Sequence, residues 1–142
     1  MTRSATVADA MARNPRTVRP DTPIGDAVAL MVGDDISGVP VLDASGTLVG
    51  ILTAKDCFRA ALHASYHQEW SGVTGAYMTH GVQTIEADTD LVTAAQRFLD
   101  QDFRRFPVTR DGELVGIVTR LDVLRALHDR WTYAPAPRDT AR

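Results

Sequence analysis

Apolar residues along the chain follow two periods, one typical of helices and one typical of strands, and both occur twice. Four apolar residues at the i, i+3, i+4, i+7 spacing mark one buried helix face in each half: Ile24, Ala27, Val28 and Met31, then Leu91, Ala94, Ala95 and Phe98. Two short apolar runs joined by a glycine-containing turn follow each helix and predict paired strands: 39–42 with 48–52, then 106–109 with 114–118. The pattern predicts an α/β (α+β) fold built from two similar units.

Each predicted unit contains three further segments. They are an opening helical segment (7–12 and 73–78), a brief extended piece (Thr17-Val18 and Thr84-Ile85) and a closing helix (54–62 and 120–127). The central helix of the first unit is predicted to begin at Thr22 as N-cap, with Pro23 at the first helical position. In the second unit Thr89 takes that place and is followed by Asp90, which is favourable in a first turn.

The two units are copies of one repeat. Residues 48–60 align with residues 114–126, and eight of these 13 positions are identical. Upstream of the strand turn, equivalent residues are 67 positions apart, as Pro40 and Pro107 are; downstream they are 66 apart. A three-stranded unit of about 55 residues is marginal alone, so two copies are expected to pack sheet to sheet. The expected organisation is a first repeat over 1–65, a linker over 66–73, a second repeat over 74–130 and a disordered tail over 131–142.

Composition narrows the class of protein. Apolar residues make up 44% of the 142 residues and the net charge is -3, which argues against a general nucleic-acid binder. Cys57 is the single cysteine, so a disulfide scaffold is excluded. The sequence has no run of about 18 apolar residues and no apolar stretch typical of a signal peptide. We therefore expect a cytoplasmic protein with no membrane partner.

The strand-to-helix turns carry the most informative chemistry. Gly50-Ile-Leu-Thr53-Ala-Lys-Asp56 is repeated as Gly116-Ile-Val-Thr119-Arg-Leu-Asp122. Threonine at N-cap with aspartate three residues later is a variant of the capping box. The same group can also bind a ligand, because free amides at a helix N-terminus attract phosphate and a carboxylate can accept hydrogen bonds from a ribose diol. The two interpretations do not exclude each other.

At these residues the sequence resembles a pair of CBS domains, over about residues 5–128. The resemblance implies two three-stranded sheets with flanking helices, facing each other across a pseudo-twofold axis, and two clefts that bind adenosyl compounds such as AMP, ADP, ATP, S-adenosylmethionine or NAD. It implies that Thr53 with Asp56, and Thr119 with Asp122, hold phosphate and ribose. The full set of candidate ligand-binding residues is Thr17, Val18, Gly38, Val39, Pro40, Thr53, Lys55, Asp56, Thr84, Ile85, Arg105, Phe106, Pro107, Thr119, Arg120 and Asp122.

The two copies differ where the base of a nucleotide would lie. Gly38 predicts open space beside Pro40, whereas the second copy has bulky Arg105 and Phe106 at the equivalent strand. Phe106 either stacks on a purine or belongs to the core, and the arginines before it either attract an anionic ligand or are a solvated strand entry. Arg120, and Lys55 more weakly, would place a cation near the phosphate, so the Thr119 cleft is expected to bind phosphate more tightly.

No nucleophile with a partner base, metal-ligand set or glycine-rich phosphate loop is evident, so we expect neither an enzyme nor an obligatory cofactor. The sequence instead predicts a stand-alone regulatory module that binds an adenine nucleotide. It would signal through its conformation or through homodimerisation to an effector protein that the sequence does not identify. The alternative is a structural dimerisation or adaptor module without a ligand, whose Thr–Asp pairs only cap helices.

Overall fold

A computed structural model describes residues 5–131, so the tail expected over 131–142 lies outside the described residues except for Trp131. Twelve elements follow one another in these residues: α1 (Val7–Ala10), β1 (Ala12–Arg13), α2 (Ile24–Asp34), β2 (Gly38–Leu42), β3 (Leu48–Thr53), α3 (Ala54–His67), α4 (Thr74–Tyr77), β4 (Ile85–Glu86), α5 (Leu91–Asp100), β5 (Arg105–Arg110), β6 (Glu113–Thr119) and α6 (Arg120–Arg130). The mixed fold class and the repeat are confirmed. No helix within residues 5–131 has both the length and the apolar character that crossing a membrane requires.

The central helices begin one residue later than predicted. Pro23, not Thr22, is the N-cap of α2, because the Thr22 hydroxyl accepts a hydrogen bond from the Arg19 amide in the preceding turn. Asp90, not Thr89, is the N-cap of α5, and its carboxylate accepts from the Thr93 amide at 2.9 Å. In both cases a competing local hydrogen bond or a better capping side chain moves the start of the helix.

The closing helices are longer than the apolar periodicity indicated. α3 continues to His67 and ends where Gln68 takes a left-handed conformation, with φ at 57°. α6 continues to Arg130. Their last turns are polar and exposed, so a search for an apolar face stops too early, although no residue there breaks a helix.

The sequence predicted two sheets of three strands each, and the observed strand counts differ from this prediction. One sheet has four strands in the order β1-β6-β5-β4, and the other has the two strands β2-β3. The smaller sheet is extended by single bridges, of Val18 with Val41 and of Thr79 with Ile51. These bridges are equivalent by the repeat to β4 on β5 and to β1 on β6. The two sheets therefore share one plan, with two positions reduced to single bridges in the first.

The opening segment of each repeat packs on the other repeat. α1 contacts α6, and β1 pairs with β6, although α1 and β1 precede the first repeat's strands and β6 belongs to the second. In the same way α4 contacts α3, and Thr79 bridges Ile51 at 3.0 Å between the Ile51 amide and the Thr79 carbonyl. Val7 is accordingly buried in the core of the second repeat. Neither half is structurally complete without the segment it receives.

Two glycines permit this exchange. A Cβ added at Gly50 would lie 2.8 Å from the Thr79 carbonyl oxygen, and one added at Gly116 would lie 2.8 Å from the Ala12 carbonyl oxygen. Real Cβ atoms essentially never approach so closely. The glycine that opens each Gly-h-h-Thr-x-x-Asp motif thus makes room for the backbone of the exchanged segment.

Candidate ligand-binding site at the two helix entrances

Both strand-to-helix turns form the capping box that the sequence predicted. At the start of α3 the Asp56 amide donates to the Thr53 hydroxyl oxygen at 3.2 Å, and the Thr53 amide donates to the Asp56 carboxylate at 3.0 Å. At the start of α6 the corresponding distances between Asp122 and Thr119 are 3.1 and 2.9 Å. These two groups are called here the first and the second entrance. The capping interpretation is confirmed.

The entrances offer fewer free amides than a bare helix end. The Ala54 amide donates to the Ser37 carbonyl at 3.0 Å, and the Arg120 amide donates to the Arg104 carbonyl at 3.2 Å. Together with the capping box, three amides at each entrance are already bonded, so the expectation of free amide hydrogens is wrong for these three amides. The capping threonine accepts through its oxygen and still has its own hydroxyl hydrogen to donate.

The two aspartates differ in how far the protein occupies them. Asp56 is 3% exposed, and its carboxylate also accepts from the Thr79 hydroxyl at 3.1 Å and pairs with Arg59. The Asp122 side chain is 22% exposed, and among residues 5–131 its second oxygen has Arg125 as its one side-chain neighbour, at 3.5 Å. The residue equivalent to Thr79 is Ala12, which has no hydroxyl to donate. Asp122 is therefore the carboxylate with room to accept hydrogen bonds from a ligand.

Arg105 occupies the space beside Gly38 that the sequence predicted to be open. A Cβ at Gly38 would lie 2.7 Å from Cδ of Arg105, and the guanidinium donates to the Ser37 hydroxyl oxygen at 2.9 Å. Gly38 and Arg105 are equivalent positions of the two repeats. Equivalent positions can touch only near the axis that relates the repeats, so Arg105 marks that axis.

Arg105 also connects the two entrances. In the strand ladders Gly38 pairs with Thr53, and Arg105 pairs with Thr119. A line through these four residues therefore runs from one entrance to the other, with the Arg105 side chain lying across its middle. Neither Arg105 as a bridge nor Ser37 as its partner was predicted from the sequence. The sequence signal for this contact is that glycine at position 38 and arginine at position 105 occupy equivalent positions of the two repeats.

The electrostatic setting of Arg105 favours an anion. Burial, and secondly the neighbouring charge of Arg104, lower the pKa of Arg105 from its ordinary value. Among residues 5–131 no carboxylate lies within 4.0 Å of its guanidinium to form a salt bridge. Because arginine stays protonated in proteins, this is a partly desolvated positive charge with one hydroxyl as its hydrogen-bond acceptor.

The other predicted cations lie elsewhere. Nε of Arg120 donates to the Phe103 carbonyl at 2.9 Å, and Nη2 lies 3.5 Å from the exposed Asp102 carboxylate. Its side chain thereby lines an apolar groove between α5 and α6. Lys55 is exposed on the first turn of α3. The cation that the fold brings between the entrances is Arg105.

The remaining candidate ligand-binding residues are divided between core and surface. The Phe106 ring is fully buried, 4.8 Å from the Phe98 ring centroid and 4.3 Å below the Arg97 guanidinium, so the core alternative for this residue is confirmed. The other buried members of the set are Val18, Val39, Pro40, Ile85 and Pro107. Thr17 is exposed and Thr84 half-buried, and Thr84 accepts from Arg97 through its carbonyl.

The extended pieces lie toward the far end of the strands from the entrances. Val18 bridges Val41, and Ile85 pairs with Val108. Each of these partners is three residues along its strand from Gly38 or from Arg105, which corresponds to about 10 Å. The candidate residues thus follow both central strands from the entrances to their far ends rather than forming one compact cluster.

Comparisons with known proteins agree with this architecture. A family model described as the CBS domain matches the chain twice, over residues 7–63 and 73–129. The chain is 31% identical over 149 aligned residues to CBSX2, a CBS domain-containing chloroplastic protein of Arabidopsis thaliana, covering 85% of this chain and 63% of that protein. A curated relative from Methanocaldococcus jannaschii, an uncharacterized protein, is 28% identical, and the chain spans 44% of its length. The chain thus spans less than two thirds of either relative.

Solved structures resemble the chain over most of its length. CBSX2 in complex with AMP is 35% identical with a TM-score of 0.72, covering 87% of this chain and 96% of that one. The CBS-domain pair of protein MJ0100, in complex with 5'-methylthioadenosine and S-adenosyl-L-methionine, is 25% identical with a TM-score of 0.77, covering 91% of this chain and all of that one. With two matched repeats, an exchanged opening segment on each and a Thr–Asp capping box in each, the chain belongs to the CBS-domain family and is a tandem CBS pair.

Proposed function

We propose that the chain is a regulatory module that binds an adenosine-containing nucleotide in the crevice between its repeats and does not itself catalyse a reaction. The observation that carries this proposal is the convergence of two Thr–Asp entrances on Arg105, a partly buried cation with no carboxylate partner in the described part of the chain. The relatives crystallised with AMP, and with methylthioadenosine and S-adenosylmethionine, support the choice of an adenosyl ligand. No obligatory cofactor is part of the proposal.

The second entrance is the better ligand site in this proposal. In this proposal the Thr119 hydroxyl donates its hydrogen to a phosphate oxygen, and the less occupied oxygen of Asp122 accepts from ribose hydroxyls. At the first entrance a ribose would have to displace the Thr79 hydroxyl from Asp56. The preference for the Thr119 cleft that the sequence predicted is kept, but its reason changes from Arg120 to the open carboxylate.

A signal follows only if the ligand binds two states of the protein with different affinity. The exchanged segments provide a structural route for such a difference, because each entrance adjoins residues of both repeats. A ligand that draws the repeats together would change the surface that an effector protein recognises. The effector is not identified by the sequence or by the fold.

The proposal is tested by thermal melts with AMP, ATP, S-adenosylmethionine, 5'-methylthioadenosine and NAD. A ligand at 100 times its dissociation constant stabilises a protein by about 2.7 kcal/mol, which corresponds to a rise of several degrees in Tm. We expect at least one compound to give this rise. Asp122→Asn should abolish the rise while keeping a side-chain oxygen for the cap, and Asp129→Asn, an exposed residue paired with His128, should not. If no compound raises the Tm of the unmodified protein, the ligand-binding proposal is wrong.

We further propose that the chain forms homodimers through its helix pairs. Two apolar grooves, between α2 and α3 and between α5 and α6, are equivalent by the repeat. Phe58 and Leu124 occupy equivalent positions in them and are 69% and 62% exposed. Exposed apolar surface arranged in patches is typical of an association surface. Light scattering should give twice the chain mass, and Phe58→Glu with Leu124→Glu should reduce it to the monomer.

The same surface supports a second candidate function, a structural dimerisation or adaptor module without a ligand. In that case the Thr–Asp pairs only cap helices, as their hydrogen bonds already do. The melt panel and the light-scattering experiment together separate the two functions. Dimers with no response to any adenosyl compound would favour the adaptor, whereas dimers that respond to a nucleotide would favour the sensor.

A further inference from the structure

The axis that relates the two repeats carries one large side chain, that of Arg105. Gly38 supplies no side chain, and Arg105 at the equivalent position extends into the space, with Cδ only 2.7 Å from where a Cβ of residue 38 would be. A side chain at residue 38 would have to displace the Arg105 side chain from its present position. Within residues 5–131, Arg105 is therefore the guanidinium that lies on the axis between the two entrances, whereas Arg59 and Arg125 each lie beside one aspartate.

This guanidinium has unused hydrogen-bonding capacity. Arginine carries five N–H donors, and the side-chain contact of Arg105 is with the Ser37 hydroxyl. No carboxylate among residues 5–131 neutralises it, and burial already weakens its hydration. A partly desolvated cation without an ion partner is costly, and a phosphate that binds to it removes that cost.

The same guanidinium lies between both entrances. Its own residue pairs across the ladder with Thr119, and its tip reaches Ser37, next to Gly38, which pairs with Thr53. Residues that pair across a ladder have Cα atoms about 4.5–5.5 Å apart, so Arg105 is a near neighbour of each entrance. A phosphate at one entrance and a phosphate at the other would compete for it.

We propose that Arg105 is a single phosphate-contacting residue shared by both clefts. It selects adenosyl ligands that carry a phosphate over those that do not, and it allows one phosphorylated ligand to bind tightly while a second binds at least tenfold more weakly. This inference rests on the proposed nucleotide binding and adds to it the charge class of the ligand and the coupling between the clefts.

The test is isothermal titration calorimetry with AMP and with 5'-methylthioadenosine, which has no phosphate. Arg105→Gln keeps most of the side chain beside Gly38 but removes the charge, and Arg105→Ala removes both. We expect each variant to weaken the tighter AMP site at least tenfold, which corresponds to about 1.4 kcal/mol, and to leave methylthioadenosine binding within twofold. Arg110→Ala is the matched control, because Arg110 is exposed at the other end of the same strand; it should leave both ligands within twofold.

The gap between the two AMP affinities is the second readout. In Arg105→Gln the ratio of the two dissociation constants should shrink by the same factor by which the tighter site weakens. The weaker cleft does not contact Arg105, so removing the charge leaves its affinity unchanged. AMP binding that is unchanged in both Arg105 variants would overturn the inference while the proposed function stands. An equal loss for methylthioadenosine would also overturn it, since the residue would then support the fold of the cleft rather than a phosphate. Failure of the unmodified protein to bind either compound would instead refute the proposed function.

Discussion

Gly116→Ala should destabilise the protein by separating β1 from β6. The added methyl group would lie 2.8 Å from the Ala12 carbonyl oxygen and would also contact the Met11 sulfur. The methionine side chain can rotate away, but the carbonyl belongs to a backbone that is fixed by the pairing of Ala12 with Ile117. The segment must therefore move as a whole.

The expected magnitude follows from overpacking. Inserting a methyl group into a filled site typically costs about 1–3 kcal/mol, and we expect the upper part of that range here because the contacted oxygen belongs to the backbone. We expect the free energy of unfolding to fall by about 2–3 kcal/mol. For a chain of this size about 1 kcal/mol shifts Tm by about 3–4 °C, so Tm should fall by about 6–12 °C.

Calorimetry measures the effect, and two further variants control for it. Gly50→Ala should give a similar loss, because its methyl group would lie 2.8 Å from the Thr79 carbonyl oxygen. Gly33→Ala should raise the stability by about 0.5–1 kcal/mol, since nothing lies within 4 Å of its Cβ position in helix α2. If Gly116→Ala melts within about 1 °C of the unmodified protein, the close approach of the exchanged segment is not as described.

Two further predictions concern carboxylates. Asp56→Ala should cost about 2–3 kcal/mol and Asp122→Ala about 1 kcal/mol by urea unfolding, because both lose a capping box but only the buried Asp56 carboxylate also loses a hydrogen bond from the Thr79 hydroxyl; equal losses would contradict the difference between the entrances. The backbone and then the side chain of Thr93 lower the pKa of Asp90, so the stability this carboxylate contributes is full at neutral pH and is lost as the pH falls below about 4. The difference in unfolding free energy between the unmodified protein and Asp90→Ala should therefore shrink in acid, and a constant difference from pH 7 to pH 3 would refute the assignment.

Local structure was the part of the fold most accessible from the sequence. The apolar faces of α2 and α5, the paired strands and both capping boxes follow from spacing within about ten residues, and the structure confirms them. The start of α2 was misplaced because the Thr22 hydroxyl suits either a helix cap or the preceding turn. Short-range patterns do not indicate which of two local partners such a side chain takes.

The exchange of opening segments was not predicted, because burial patterns show that a residue is covered but not by which repeat. α1 and α4 have only four residues each, and the strand that follows α1 has two. Elements this short carry no periodicity of their own. The available signal was the glycine inside the last strand of each repeat, Gly50 in β3 and Gly116 in β6. A glycine within a strand often marks the close approach of another backbone.

The residues of the candidate site were named from the sequence, but their arrangement was not predicted. The cation beside the phosphate was expected to be Arg120, which follows Thr119 directly in sequence, and Arg105 was only one of two arginines that could attract an anion. The structure turns Arg120 toward Asp102 and brings Arg105 between the entrances instead. Contacts across the repeat axis depend on tertiary packing, and sequence proximity is a poor guide to them.

The exchanged segments also explain why two nearly identical motifs are unlike as sites. One segment delivers a residue to the aspartate of the other repeat, because the Thr79 hydroxyl reaches Asp56; the residue equivalent to Thr79 is Ala12, which has no hydroxyl to donate to Asp122. The motifs themselves, with the same glycine, threonine and aspartate, do not encode this difference. One hydroxyl carried by a distant segment occupies the first carboxylate and leaves the second open. In a repeat protein of this design, the occupancy of a motif is therefore set by the partner repeat, and comparing motifs alone cannot rank the two clefts.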